Sequence, residues 1–553
     1  MYHFTSACVM FSYLDLDSLA FESRYLPSLL KKAKMKIPAS LLAIIVIAYF
    51  PAIGQPISSH QIDSVVELTM KTFDVPGIAV AVVKDGKIIH EKGYGVSSLN
   101  TMQKTDEHTL FGIASNSKAF TVASLGILVD EGKLKWDDRV TDYIPAFKLY
   151  APYVTEDFTI RDLTTHRSGL GLGAGDLMIW PDSSTFTLAD IIHNLRFLKQ
   201  VSDFRTKYDY DNLLYIVAGE VVARVSGMSW EDFVQTKIMN PLQMTESAPN
   251  YDRVKNKSNV IDPHAPVNGK VQVIHRDWKY VADAAGGIYS SVHDMSKWII
   301  MQMHDGKYGE GLKDQLLTEK THSEMWTPQT IIPVRGPTPY NTHFASYGLG
   351  WFLSDENGYK VPTHTGGLAG IVTQVTLVPE LQLGIIVFTN QQSGAAFTAI
   401  TNTIKDSYYG IHGKDRIKEY HDRLLQRQAD ARKITDQVWV DIKAEQAKNK
   451  SATNVNMYAG TYTDPWFGDV VISIKNGRPW FDSKNSPRLT GELFPYKGNT
   501  FIVKWNDRSM DADAFVMFDL DYEGRPNGIK MKPVSPLTDF SFDFQDLNFN
   551  RTK

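Results

Sequence analysis

Ser115 and Lys118 stand three residues apart in Phe111-Gly-Ile-Ala-Ser-Asn-Ser-Lys-Ala-Phe-Thr121. On a helix that spacing places the two side chains on one face, about one turn from each other. A serine hydroxyl is a weak nucleophile until a neighbouring base takes its proton, and a lysine depressed by burial can be that base. Backbone N–H groups at a helix start favour the negative charge that develops when such a serine attacks a carbonyl. The arrangement is that of a serine acyl-enzyme former. An isolated S-x-x-K also fits a helix cap with a solvated lysine, and the chain holds a second copy, Ser28 to Lys31. The apolar run from Ala119 to Val129 separates the two cases, because a lysine in the first turn of a buried helix is costly unless used or paired.

Two further motifs join the first. Tyr210-Asp211-Asn212 opens the apolar stretch Leu213–Val222 and is the only Y-x-N in the chain. A phenol beside a cationic lysine can lose its proton more easily than in water, so Tyr210 can relay protons to and from the serine. The Asn212 amide can hold the lysine and orient a substrate carbonyl. His364-Thr365-Gly366-Gly367 precedes the apolar strand Ile371–Val378, and paired glycines let a backbone approach a ligand closely. Each motif alone has an ordinary reading as a cap or a turn. The three together, in this order and with these flanks, point to a site.

The succession S-x-x-K, Y-x-N, [KH]-T-G resembles the serine β-lactamase and penicillin-binding-protein superfamily. The Y-x-N form is similar to its class C β-lactamase branch, which includes D,D-carboxypeptidases, D-aminopeptidases and esterases. Thr159–Leu170, Ala284–Ser290 and Tyr347–Trp351 fit the same branch, and the likeness covers roughly residues 60 to 410. It implies Ser115 as nucleophile, with Lys118 and Tyr210 together moving its proton. Asn212 would position the lysine and the substrate amide, and His364 and Thr365 would bind a substrate carboxylate or leaving group. The N–H groups of Ser115 and Gly367 would form the oxyanion hole, a role the family gives to the position after T-G. Many dedicated β-lactamases of the branch carry lysine where this chain has His364. A histidine holds less permanent charge near neutral pH and grips a β-lactam carboxylate less firmly.

Other chemistries lack their residues. No G-x-S-x-G elbow, H-E-x-x-H, paired C-x-x-C or G-x-x-x-x-G-K-[ST] loop occurs, so neither an α/β-hydrolase nucleophile nor a zinc or phosphate site is indicated. No metal and no organic cofactor is expected. A net charge of −4 over 553 residues gives no footprint for nucleic acid or an anionic membrane. The hydrophobic content of 43% suffices for buried cores in a chain too long for one ordinary domain. Its sole cysteine, Cys8, lies upstream of the expected fold, so the remainder needs no disulfides and tolerates an oxidising compartment.

Residues 1–54 read as a leader and signal peptide. Lys31–Lys36 is basic, Ile37–Phe50 is apolar but short for a bilayer span, and Pro51–Gly54 supplies small residues before Gln55. Met35 is a better start than Met1, and an uncleaved anchor is the competing reading. The expected product is exported, periplasmic or secreted, without a stable membrane span after cleavage.

Residues 55–412 are expected to form an α+β serine hydrolase domain. Its antiparallel sheet is assembled from both ends: a helix at Ser64–Phe73, a hairpin from Gly77 turning at Asp85-Gly86, and strands at Tyr347–Leu353, Ile371–Val378 and Leu383–Thr389. Residues 413–452 read as an amphipathic linker helix, and 453–553 as a small all-β barrel or sandwich with an Asn476-Gly477 turn. The last segment looks like the lipocalin-like module that follows some members of the family. Its Trp466, Trp480 and Trp505 fit a core better than a ligand mouth. The function expected is hydrolysis of amide or ester bonds through an acyl-enzyme, as a D-amino-acid-type peptidase, carboxypeptidase or esterase on a small-molecule or peptide substrate. A true β-lactamase, a penicillin-binding sensor and a scaffolding homologue are the alternatives, and a homo-oligomer is left open.

Overall fold

The computed structural model describes residues 56–448 and 455–552; the leader and signal-peptide assignment lies outside them. Helix α1 (Ser59–Phe73) starts at a capping box in which Ser58 and Gln61 exchange hydrogen bonds. Strands β1 (Gly77–Lys84) and β2 (Lys87–Gly95) form the expected hairpin. Asp85 and Gly86 both take positive φ at its turn, the conformation that matches strand twist in two-residue loops.

Next come α2 (Ser117–Asp130), α3 (Leu213–Ser226) and α4 (Val292–Met303), with shorter helices among them. Strands β3 (Thr330–Ile332), β4 (Ala345–Tyr347), β5 (Phe352–Glu356), β6 (Tyr359–Leu368), β7 (Ile371–Val378) and β8 (Leu383–Thr389) follow, then α5 (Gly394–Tyr409). The eight strands make one antiparallel sheet in the order β2-β1-β8-β7-β6-β5-β4-β3, so both ends of the domain do supply it. Strand β1 is buried on both faces, which its near-continuous apolar sequence requires. Ile78, Val80 and Val82 pack with α1 and α5, while Ala79, Ala81 and Val83 join the large core of the helical region.

The expected strand Tyr347–Leu353 is broken into β4 and β5 by a turn. Gly350 lies in that turn at φ 77°, and a Cβ on it would stand 3.2 Å from the Lys118 carbonyl oxygen and 3.0 Å from Val122. Only glycine accepts both the left-handed backbone and that close approach to α2. The apolar run reads as a strand, but contact with a distant helix decides its bend.

Helix α6 (Arg416–Lys448) docks Ile417 on the first domain and Val438 and Ile442 on the second. The second domain is a closed antiparallel barrel of eight strands. They are β9 (Gly460–Asp464), β10 (Gly468–Lys475), β11 (Arg478–Ser483), β12 (Thr490–Lys497), β13 (Thr500–Trp505), β14 (Ala514–Leu520), β15 (Pro526–Pro533) and β16 (Asn548–Arg551). Closure leaves no free edge strand. Trp466 and Trp505 are buried in its core, and Trp480 is half-buried.

Strand β6 must approach the turn before α2 closely. A Cβ on Gly366 would fall 2.2 Å from the Ile113 carbonyl oxygen and 2.9 Å from the Ala114 Cβ. Gly366→Ala is therefore expected to destabilise the fold by about 1–3 kcal/mol, the usual cost of overpacking. The measurement is the midpoint of urea unfolding, and an unchanged midpoint would show that the two segments are not in contact.

Candidate active site

The backbone carries Ser115 on a short 3-10 turn, Ala114–Asn116, and the α-helix begins only at Ser117. The expected helix start at Ser115 is thus displaced by two residues, while Lys118 still falls in the first helical turn. Ala114 takes φ 50°, a conformation costing an alanine about 1–3 kcal/mol and commonly held at functional sites. The Asn116 side chain donates to the Ile113 carbonyl at 3.2 Å and to Thr373 Oγ1 at 2.9 Å, tying the turn to β7. Ser117 is fully buried and accepts the Ile288 N–H.

Lys118 is fully buried. Its Nζ lies 3.2 Å from Ser115 Oγ, 2.8 Å from Asn212 Oδ1 and 2.8 Å from the Ala285 carbonyl oxygen. Burial lowers its pKa to about 7, against the opposing pull of Asp176 and Asp211. A neutral amine has two hydrogens and one lone pair. The two carbonyl oxygens take the hydrogens, and the lone pair is left facing the Ser115 hydroxyl. That is the geometry of a general base on a serine nucleophile.

Tyr210 lies on the other side of the nucleophile. Its ring is 4.8 Å from Lys118 Nζ and its phenol interacts with the Ser115 hydroxyl. Burial pushes the phenol well above its ordinary value, opposite to the easier ionisation expected from a neighbouring lysine. Desolvation outweighs attraction here because Lys118 is itself held near neutrality. Tyr210 is placed to pass a proton rather than to rest as a phenolate.

Asn212 uses both ends of its amide inside the protein. Its Oδ1 accepts from Lys118, and its Nδ2 donates to Asp176 Oδ2 at 2.8 Å. It leads into α3 without capping it, and the capping bond comes from Asp211 Oδ1, which accepts the Leu214 N–H. The arrangement holds the lysine and commits one of the two Nδ2 hydrogens to Asp176, while Asn212 also lines the cavity.

His364 is buried, with Nε2 2.9 Å from the Tyr347 hydroxyl and Nδ1 2.7 Å from the Thr365 carbonyl oxygen. Burial and the nearby Lys118 lower its pKa to about 3, so the ring is neutral and both nitrogens are engaged. It does not present the cation that grips a carboxylate. Thr365 and Gly367 alternate with it on β6, are exposed, and line the cavity. A Cβ on Gly367 would meet nothing within 4 Å, so its backbone borders open space beside Ser115.

Those residues surround a cavity of about 660 Å³. Several groups in or behind its wall have no counterpart in the sequence motifs. Asp176 is fully buried with a pKa raised by desolvation to about 7, and it follows a glycine-rich stretch, Gly169–Gly175, that was its only local signal. The barrel also contributes: residues 535–546, joining β15 to β16, bring Phe540 against the Tyr210 ring, with centroids 5.8 Å apart. Arg488 reaches from the barrel to Asp182 at 2.6 Å and Asp277 at 2.8 Å, both on the catalytic domain. Among the described residues no group of three metal-ligating side chains is gathered anywhere.

Fold and site together define a serine hydrolase of the β-lactamase and penicillin-binding-protein type. The chain belongs to the β-lactamase family, whose model matches residues 62–408; a domain of unknown function matches residues 444–551. Two similar curated proteins are unguisins hydrolases of Aspergillus. That of A. violaceofuscus is 29% identical over 65% of this chain and 67% of its own, and that of A. campestris 25% over 87% and 90%. Protein flp of Staphylococcus aureus is 25% identical over 61% of this chain and 64% of its own. The octameric penicillin-binding protein homologue of Pyrococcus abyssi shares the fold, with a TM-score of 0.56 and 19% identity over 89% of this chain and 100% of that one.

Lysine is neutral above its pKa, so the reactive form accumulates as pH rises through about 7. The kcat/KM for a p-nitrophenyl ester should therefore fall about tenfold per pH unit on an acidic limb centred there. A profile flat down to pH 5 would exclude Lys118 as the group that takes the proton. Ser115→Ala should abolish turnover and leave the unfolding midpoint nearly unchanged.

Proposed function

We propose that the chain is a peptidase or esterase that cleaves an amide or ester through an acyl-enzyme on Ser115. The observation that carries this is the buried Lys118 Nζ standing 3.2 Å from Ser115 Oγ, with the Asn212 and Ala285 carbonyl oxygens each 2.8 Å away to take the hydrogens of its neutral form. Lys118 takes the serine proton as the Ser115 oxygen attacks the carbonyl. Tyr210 gives its proton to the leaving nitrogen or oxygen and takes the serine proton on from Lys118, so the pair returns to its starting state. A water that gives up a proton to the same pair then releases the acyl group, and that proton goes back to Ser115. The Ser115 and Gly367 N–H groups would receive the oxyanion. The hydrolase relatives support this class of reaction; their substrate is not transferred to this chain.

Charge in the cavity supports substrates without a carboxylate beside the scissile bond. Among the described lining residues Arg488 is the one permanent cation, and Asp182, Asp277 and Asp507 already occupy its guanidinium. His364 is neutral, and Asp511 and Asp539 face the same space. A terminal carboxylate or a β-lactam would enter without a partner. That charge pattern supports our reading of peptidase or esterase action on an internal bond over carboxypeptidase or β-lactamase action. Export, from the leader, belongs to the same proposal. Among the described residues no single helix is long and apolar enough to cross a membrane.

Labelling with a fluorophosphonate and mapping by mass spectrometry should find the adduct on Ser115. An adduct elsewhere would overturn the assignment. His364→Lys adds a charge on a longer stem and should raise kcat/KM for a chromogenic cephalosporin relative to a p-nitrophenyl ester by about tenfold. An unchanged ratio would mean that this position does not read substrate charge.

A further inference from the structure

The catalytic lysine is the first member of a buried chain that ends on the barrel. Lys118 donates to Asn212 Oδ1, Asn212 Nδ2 donates to Asp176 Oδ2, and the Ser541 hydroxyl donates to the same Asp176 oxygen at 2.8 Å. Asp176 Oδ1 is buried without a partner. The segment carrying Ser541 is fastened on both sides of that residue. Asp543 accepts the Gly175 N–H at 2.7 Å and the Leu177 N–H at 3.1 Å, and Phe540 fills the space over Gly173, where a Cβ would stand 2.8 Å from its ring. So the loop bearing Asp176 is shaped by the barrel on one side and holds Asn212 on the other.

We propose that Asp176 is a positioning residue for Lys118, acting through Asn212, and that the barrel completes the catalytic site by supplying Ser541 to it. The inference rests on the reading of Ser115 as nucleophile and Lys118 as its base. Because Nδ2 of Asn212 is committed to Asp176, its carbonyl oxygen is fixed toward the lysine, which orients the lone pair. Asp176 also tunes how readily Lys118 gives up its proton: an ionised carboxylate favours the ammonium, a protonated one does not. The Ser541 bond favours the carboxylate and so raises the proportion of ammonium.

Other titratable groups surround the pair. Asp211, Tyr210, Tyr215, His166 and His364 face Lys118, and Asp211, Asp539 and Asp543 act on or feel Asp176. Asp211 is held protonated to about pH 8 by burial, and both histidines are kept neutral by theirs. Asp176 is then the carboxyl whose ionisation falls in the same range as that of the lysine, about 7 in each case.

The test is the pH dependence of fluorophosphonate labelling of Ser115 in the full chain, which needs no knowledge of the substrate. Asp176→Asn keeps the shape and the Asn212 bond but removes the anion, so the acidic limb should move down by about half a pH unit or more. Ser541→Ala, at a half-buried position, should move it the same way by less. Ser541→Thr should restore it. Labelling of the wild type with all four limbs coincident would overturn this inference and leave the nucleophile standing. No labelling of the wild type at any pH would remove the nucleophile, and this inference with it.

Discussion

Water is excluded entirely from the Lys118 amine, and the rest of the site is arranged around that exclusion. A buried ammonium without a counterion is too costly to hold, so the group is kept near neutrality instead. The hydrogens and lone pair of a neutral amine then need partners in fixed directions. The Ser115 turn, the Asn212 side chain ahead of α3 and the Ala285 carbonyl supply them. These are three separate parts of the chain, and none of them could hold the lysine alone. The long apolar helix after Lys118 serves the chemistry as well as the core, because it is what draws the amine out of water.

The sheet acts on the same point from the other side. Hydrogen bonds from Asn116 to Thr373, and from Thr373 to the Ile113 carbonyl, fasten the Ser115 turn to β7. Gly366 lets β6 lie against that turn. The left-handed Ala114 is sustained by these contacts; an alanine would not adopt that backbone unaided. His364 serves this architecture too. Its ring is locked between Tyr347 and the Thr365 carbonyl, so it supports the strand that borders the cavity rather than offering a charge to it.

Much of this was legible in the chain because the relevant constraints are local. Ser115 and Lys118 are three residues apart and the Y-x-N sits at a helix start, so periodicity nearly places them; H-T-G-G, expected just before the strand Ile371–Val378, lies within β6 instead. The hairpin at Asp85-Gly86, the sheet built from both termini and the all-β module follow from period-two patterns and turn residues. What escaped was set by partners far away in sequence. The bend at Gly350 depends on α2, and the raised phenol of Tyr210 depends on how completely the pocket is sealed. Asp176 has only the glycine-rich stretch before it as a local signal, and Ser541, 365 positions away, has none until the barrel is folded onto the catalytic domain. Residues 535–546 read only as the end of a strand-rich region, since nothing in them announces contact with Tyr210 and Asp176.

The central claim is that Lys118 titrates near neutral pH, so that a large share of it is a free base where ordinary lysines are fully protonated, and the protonation state of its amine can be observed directly. In protein labelled with 13C at the lysine Cε, the Lys118 resonance can be assigned by its absence in Lys118→Arg and followed from pH 5 to pH 11. A titration midpoint near 7 is the result that burial of this amine predicts. A midpoint near the ordinary value of 10.5 would contradict it, because the lysine would then carry its proton wherever the enzyme works and have no lone pair to offer Ser115.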